Sequence, residues 1–398
     1  MTNSLRLWLA ACTLVLASGC AITPPPPPMP SATDLFVDST FRPATDDVST
    51  AGLFALSAPM QAYMRRAQFA GHVRREGAAR GLVSALYNKT DLKLEYEASM
   101  TRTAASTYEA RRGNCLSLVI MTAAFARALN VDVTFQNVLI ERQWSRSGGI
   151  YLGSSHVNLA LADRQGSHNT FEAAKRWLTV DFLPSEDTSR HLTRPIDEQM
   201  IEVMYLNNRA AEEIAAGRLD AAYWFARAAI KKDPAYIAAY NTLGVIYQRH
   251  GDFLLAERVY KRALERERED TVVMNNLIPV LAKLGKEEES KALAARLATI
   301  DPTPPFHYFH QGLKAMEAGK YAEAKGLFEK EVARSPYYHE FHFWLGIAHM
   351  RLGEPGLARA ELTMAVDTST SEESAKLYAG KLNYLRSLTA SNRRAPNE

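Results

Sequence analysis

Glycine recurs at positions 217, 251, 285, 319 and 353, a constant spacing of 34 residues. A period of that length constrains the fold more than any other feature of the chain. Each repeat is one supersecondary unit that cannot bury its apolar face alone, so neighbouring units must stack and share a core. The glycine falls at the turn between the two helices of a unit. Ala222, Ala256, Ser290, Ala324 and Ala358 keep small residues at the same period, where paired helices approach most closely. Pro234, Pro302 and Pro336 close the first, third and fourth units, where a helix must end. Five units are predicted over residues 203–372, beginning near Val203, Ile237, Thr271, Pro305 and His339. Residues 373–398 read as a capping helix and tail, the helix running over about 372–388.

Within the second unit Leu243, Gly244 and Tyr247, then Ala256, Tyr260 and Ala263, fill the expected small and large positions. The pattern resembles the tetratricopeptide repeat. That resemblance implies an all-α superhelix whose concave face binds a peptide or protein segment. The fifth residue of each unit should face that groove, which makes Asn207, Asn241, Asn275, Phe309 and Phe343 the candidate peptide-binding residues. A carboxamide offers both a donor and an acceptor, so stacked asparagines can pair with the amides of an extended peptide. The competing reading is local: asparagine near a helix start bonds to its own backbone. For the phenylalanines, with Phe306, Tyr308, Phe341 and Trp344 around them, the competitor is ordinary packing between units.

The other end of the chain concerns the compartment. Arg6 precedes an apolar run over residues 7–17 and then Ser18, Gly19 and Cys20, the layout of a short secretion signal rather than a membrane span. Leu16-Ala17-Ser18-Gly19-Cys20 resembles a bacterial lipobox, with Ala17 where leucine is usual. The resemblance implies a signal peptide over 1–19 and lipidation at Cys20, and Ala21 favours the outer membrane facing the periplasm. Several acyl chains anchor a protein stably where one would not. Prolines at 24 to 28 and 30 make a stiff spacer, so residues 20–50 read as a lipidated cysteine with a proline-rich linker. No later segment approaches the apolar length of a membrane span. With 47 basic against 44 acidic residues, the net charge of +3 gives no reason to expect a nucleic-acid partner. The arginines at 65, 66, 74, 75 and 80 read as a solvated helix face.

Of the three cysteines, Cys12 leaves with such a signal and Cys20 carries lipid, so Cys115 is the one thiol left. Without a partner it cannot form an intramolecular disulfide. It is either buried and inert, or it is chemistry. Gly113 and Asn114 break one helix, and residues 116–129 begin a largely buried one. Asn114 is a natural N-cap, which puts Cys115 in the first turn, where the positive end of the helix dipole favours a thiolate. The pattern then changes to strands over about 131–138, 150–162 and 177–183. Val157, Leu159 and Leu161 alternate with His156, Asn158 and Ala160, and Leu178, Val180 and Phe182 with Trp177, Thr179 and Asp181. If those two strands pair antiparallel, His156 and Asp181 come within hydrogen-bond reach. His168 and His191 are competitors, both in polar, loop-like sequence. No metal-ligand spacing is present.

TAASTYEARRGNCLSLVIMTAAFARALNV, SSHVNLAL and RWLTVDFLPSED resemble the transglutaminase-like core, over about residues 80–190. Two positions depart from that family: Asn158 stands where an aromatic often follows the histidine, and Phe182 where proline commonly follows the aspartate. The resemblance implies an α+β transglutaminase-like domain, helix plus antiparallel sheet, over 51–195. It also implies Cys115 as nucleophile, His156 as proton carrier and Asp181 as orienter, with no cofactor. The chain as a whole then reads as a membrane-anchored cysteine amide hydrolase, or acyltransferase, acting on an envelope protein or cell-wall peptide, with a protein partner in the repeat groove. The reading from another class is a non-catalytic envelope adaptor that works through its repeats.

Overall fold

In the computed structural model the described residues run from 32 to 392, leaving out 46, 88–91, 93, 98–99, 148–149, 164–176, 183–191, 337 and 370–371. Cys20, His168 and His191 lie outside the described residues.

Three helices open the first half: α1 (Ala58–Met64), α2 (Ala67–Glu76) and α3 (Ala78–Tyr87). The short strand β1 (Glu95–Tyr96) follows, then α4 (Ala104–Ala110), β2 (Arg112–Gly113) and α5 (Cys115–Ala128). β1 and β2 pair in parallel. The chain then forms β3 (Val131–Ser147), β4 (Ile150–Asp163), β5 (Leu178–Val180) and β6 (Leu192–Ile196). These four make a sheet of order β5-β4-β3-β6 with antiparallel neighbours. The long hairpin and the edge strand β6 were not legible as such: the alternation in residues 139–155 is too weak to extend a strand from sequence, and the five residues of β6 include Pro195, which an edge strand tolerates.

α5 is apolar on every side, as a central helix must be. Residues 116–126 are all buried, and Val119, Ile120 and Phe125 share one core with Tyr63 and Leu82 from the opening helices and Val157, Leu159 and Leu161 from β4. Each such large side chain contributes roughly 1.5–3 kcal/mol of burial.

The second half is a run of antiparallel helix pairs: α6 (Glu198–Ala215) with α7 (Leu219–Lys232), α8 (Ile237–His250) with α9 (Phe253–Arg266), and α10 (Thr271–Lys283) with α11 (Glu287–Ile300). Next come α12 (His307–Glu317) with α13 (Tyr321–Arg334), α14 (His339–Arg351) with α15 (Pro355–Asp367), and finally α16 (Glu372–Asn392), packed on α15. The five periodic glycines have φ between 73° and 98°. A left-handed residue there lets the next amide turn back onto the helix, as Asp252 N–H does to the Tyr247 carbonyl (2.9 Å) and Lys286 N–H to that of Leu281 (2.9 Å). Glycine alone adopts that φ without a Cβ penalty.

Residues 32–42, expected as part of the linker, are instead folded onto the repeats. Leu35 and Phe41 are 1% and 4% exposed. Phe41 stacks on Tyr223 with ring centroids 4.1 Å apart, and the Tyr247 hydroxyl donates to the Leu35 carbonyl (2.7 Å). Asp38 accepts from Tyr223 (2.6 Å) and Arg227 (2.8 Å), while Arg258 and Arg262 meet Asp34. A segment with two large apolar side chains beside an unfilled aromatic surface gains more by docking than it loses in chain entropy.

Candidate functional site

Cys115 is the first residue of α5 and is partly exposed. Its position is held by a small polar network. Asn114 caps the helix, its Oδ1 accepting from the Ser117 amide (2.9 Å) and hydroxyl (2.8 Å). Asn114 Nδ2 donates to the Thr101 hydroxyl oxygen (2.7 Å), and Ser117 Oγ accepts from the Arg102 amide (2.9 Å). Arg111 turns the chain into this corner in the left-handed region (φ 56°). Gly113 leaves the necessary space, since a Cβ there would sit 2.6 Å from Ser117 Cβ.

His156 and Asp181 reach the same corner from the sheet. Pairing of β4 with β5 runs from Leu161↔Leu178 to Leu159↔Val180. Continued by one step, that register sets Asp181 opposite Asn158 and diagonal to His156. The contacts match it: His156 Nε2 lies 2.8 Å from Asp181 Oδ1, and Asn158 Nδ2 donates to Asp181 Oδ2 (3.1 Å). Cys115 stands close enough to the same imidazole to act on its protonation, while Nε2 is taken by Asp181. Burial alone would lower the His156 pKa. The hydrogen bonds to Asp181 and Cys115, with the charge on each, outweigh it and raise the value to about 9.

Asn158 is the residue that sequence reasoning treated as a departure and nothing more. It is 2% exposed and holds the second oxygen of Asp181. The signal was its place two residues beyond His156 on the same face of a strand. Tyr87, stacked on Phe182 (5.5 Å), is raised well above the ordinary tyrosine range, first by burial and then by the charge of Asp181.

The groove candidates fare differently. Asn207 Oδ1 accepts from the Thr242 hydroxyl of the next unit (2.8 Å) and Asn241 Oδ1 from Asn276 Nδ2 of the next again (2.8 Å). Asn275 Nδ2 donates within its own helix to the Thr271 carbonyl (2.8 Å). These groups tie units together or bond locally, because a buried amide must find a partner where it stands. Phe309 and Phe343 do not face a groove. Phe309 is fully buried among Phe306, Phe328 and Phe341, and Phe343 is 8% exposed and stacks on Tyr378 of α16 (4.6 Å). Large aromatic surface is better satisfied between units than in open water.

A cavity of about 650 Å³ opens between β6 and the first two units, lined by Asn137, Arg194, Asn207, Asn208, Asn241 and Thr242 among others. None of Cys115, His156 and Asp181 lines it. Among the described residues, no group of histidine, cysteine and carboxylates could hold a metal ion, and no helix is long and apolar enough to cross a membrane.

A family model for the tetratricopeptide repeat matches residues 309–373. The helix pairs of the second half are thus a tetratricopeptide-repeat superhelix, a class of scaffold that binds protein or peptide partners. The chain is 30% identical over 142 residues to the heat shock protein sti1 homolog of Schizosaccharomyces pombe, across 34% of this chain and 23% of that protein. It is also 30% identical over 108 residues to the type IV pilus assembly protein PilF of Pseudomonas aeruginosa, across 27% of this chain and 43% of that protein. The match therefore spans less than half the length of either curated relative. Among solved structures, YrrB, described as a TPR protein with an unusual peptide-binding site, is 21% identical (45% of this chain, 92% of that chain, TM-score 0.25). The structure of Pseudomonas aeruginosa PilF is 19% identical (48% and 94%, TM-score 0.27).

Proposed function

We propose that this chain is a protein-binding repeat scaffold whose first half carries a thiol centre, Cys115–His156–Asp181, acting on an amide bond of a polypeptide or cell-wall peptide. The observation that carries the chemical half is the joined set of side chains: thiol to imidazole, imidazole to carboxylate, carboxylate to Asn158. With its pKa near 9, His156 is an imidazolium at neutral pH beside the sulfur. The thiolate attacks the amide carbonyl, and an oxyanion forms. His156 then gives its proton to the leaving amine as the C–N bond breaks and a thioester remains. Water, or an amine in the transfer case, attacks the thioester, gives its proton to His156, and the thiolate departs. Asp181 holds the imidazole and stabilises its cation throughout. The amide of Cys115, among the first four of α5 and so without a partner inside the helix, is a donor for the oxyanion.

The repeats alone favour a second reading, that of a scaffold without catalysis, since the family model lies wholly within them. One reaction separates the two. A thiolate paired with His156 is alkylated by iodoacetamide near pH 7 at least tenfold faster than free cysteine, and His156→Ala removes the acceleration. A rate no greater than that of free cysteine, unaffected by His156→Ala, leaves the scaffold reading alone. In the active case, a Cys115→Ala chain retains the substrate for identification. Anchoring at the outer membrane belongs to the same proposal and rests on the sequence from Leu16 to Cys20. Metabolic labelling with a fatty acid, lost in Cys20→Ser, supports it, and labelling that persists in that variant overturns it.

A further inference from the structure

The β3–β4 hairpin outruns the sheet that it belongs to. Among the described residues, β5 pairs with β4 only at Leu159 to Leu161, and β6 pairs with β3 only as far as Leu139. Beyond that, among the described residues, the ladder from Gln143↔Ser154 to Ser147↔Ile150 is a two-stranded ribbon, set off by a register shift between Val138 and Gln143. At about 3.4 Å per residue its five rungs span roughly 17 Å. A ribbon of two strands is marginal on its own in water.

The hairpin that ends in this ribbon lies against the repeats. β4 lies against α8 and α10, and β3 against α6. These are the first helices of units one to three, which carry Asn207, Asn241 and Asn275. Burial reports the same cover. On α8, Asn241 and Val245 stand one turn apart on one face and are 4% and 0% exposed. At the equivalent places on α10, Asn275 is half-buried and Pro279 is exposed. Asn241 is in part covered by Asn276, but Val245 is shut off from solvent on the face of unit two that would otherwise line an open groove, and unit three is covered less.

We propose that the ribbon is a built-in occupant of the groove on units two and three, and that the partner of this surface is an extended polypeptide segment that displaces the ribbon. The inference rests on the repeats being a polypeptide-binding surface and needs no activity at Cys115. The test uses the full chain and a variant in which residues 144–153 are replaced by Asn-Gly, joining the opposed pair Gln143 and Ser154 through a two-residue turn. The probe is a synthetic peptide of residues 143–154. It should bind the shortened variant with a Kd at least tenfold below that for the intact chain, and restore hydrogen-exchange protection in α8 and α10. In the intact chain, the ribbon amides should exchange at least a hundredfold slower than those of the free peptide. That second measurement decides the matter alone if the shortened variant does not fold. Equal binding to both proteins, binding to neither, or ribbon amides exchanging as fast as the free peptide overturns the proposal. Iodoacetamide alkylation of the same samples reads the thiol centre separately, so failure of one reading is told apart from failure of the other.

Discussion

His156 is 4% exposed, and burial of an imidazole ordinarily favours its neutral form. The contacts with Asp181 and Cys115 reverse that and lift the pKa from 6.5 to about 9. A group whose folded value is raised stabilises the fold fully below its unfolded value and loses that contribution as pH rises through the folded one. The pairing is therefore worth on the order of 3 kcal/mol below about pH 6.5 and fades through pH 9. The gap in thermal midpoint between the native chain and His156→Gln should be widest near pH 6 and close by pH 10. A gap that is constant with pH would mean that His156 is held neutral. Asn158 belongs to the same scale. Asn158→Ala deletes a donor to a buried carboxylate and should cost about 1.5–3 kcal/mol in urea unfolding. Alkylation of Cys115 should slow with it, since Asp181 then loses the Asn158 contact on its second oxygen.

Helices and turns separate glycines that look alike as letters. Gly251 has φ 98° and open space around it, so Gly251→Ala is opposed by backbone conformation and should cost about 1–2 kcal/mol. Gly244 lies within α8, where a Cβ would sit 2.4 Å from the Tyr260 ring, and Gly244→Ala should cost about 1–3 kcal/mol through overpacking. Gly326 lies within α13 with nothing near, so Gly326→Ala should stabilise by up to about 1 kcal/mol. Urea midpoints of the three variants check the order. The glycine period was readable because turn geometry admits almost no other residue, and Cys115 because a cap and a helix start leave a local signature. The roles of Phe309 and Phe343 were not readable. Whether a side chain faces a groove or the next unit depends on how helices cross, which a 34-residue period does not encode. The docking of residues 32–42 was equally hidden: two apolar residues without periodicity look the same in a linker as on a surface that awaits them.

Across the whole molecule, residues 32–398 form one compact unit rather than two lobes that meet loosely. Arg127 at the end of α5 pairs with Glu198 at the start of α6, and the segment ahead of α1 lies on α7, α8 and α9. Urea unfolding followed by Cys115 accessibility and by helical signal should therefore coincide in one transition. Two separated transitions would show that the halves fold independently. Phe41→Ala, which empties the stack on Tyr223, should lower that shared midpoint by about 3–5 kcal/mol of stability.

Thr101 gives that unity a direction. Its hydroxyl oxygen accepts from the cap residue Asn114 and from Asn208 of α6 (3.3 Å), and its amide donates to Glu212 (2.6 Å). One threonine is thus a rivet through both the reactive corner and the first rung of the scaffold. A shift of that rung by a fraction of an ångström would be felt at the helix start that carries Cys115, so the setting of the proposed nucleophile depends partly on residues of the repeats.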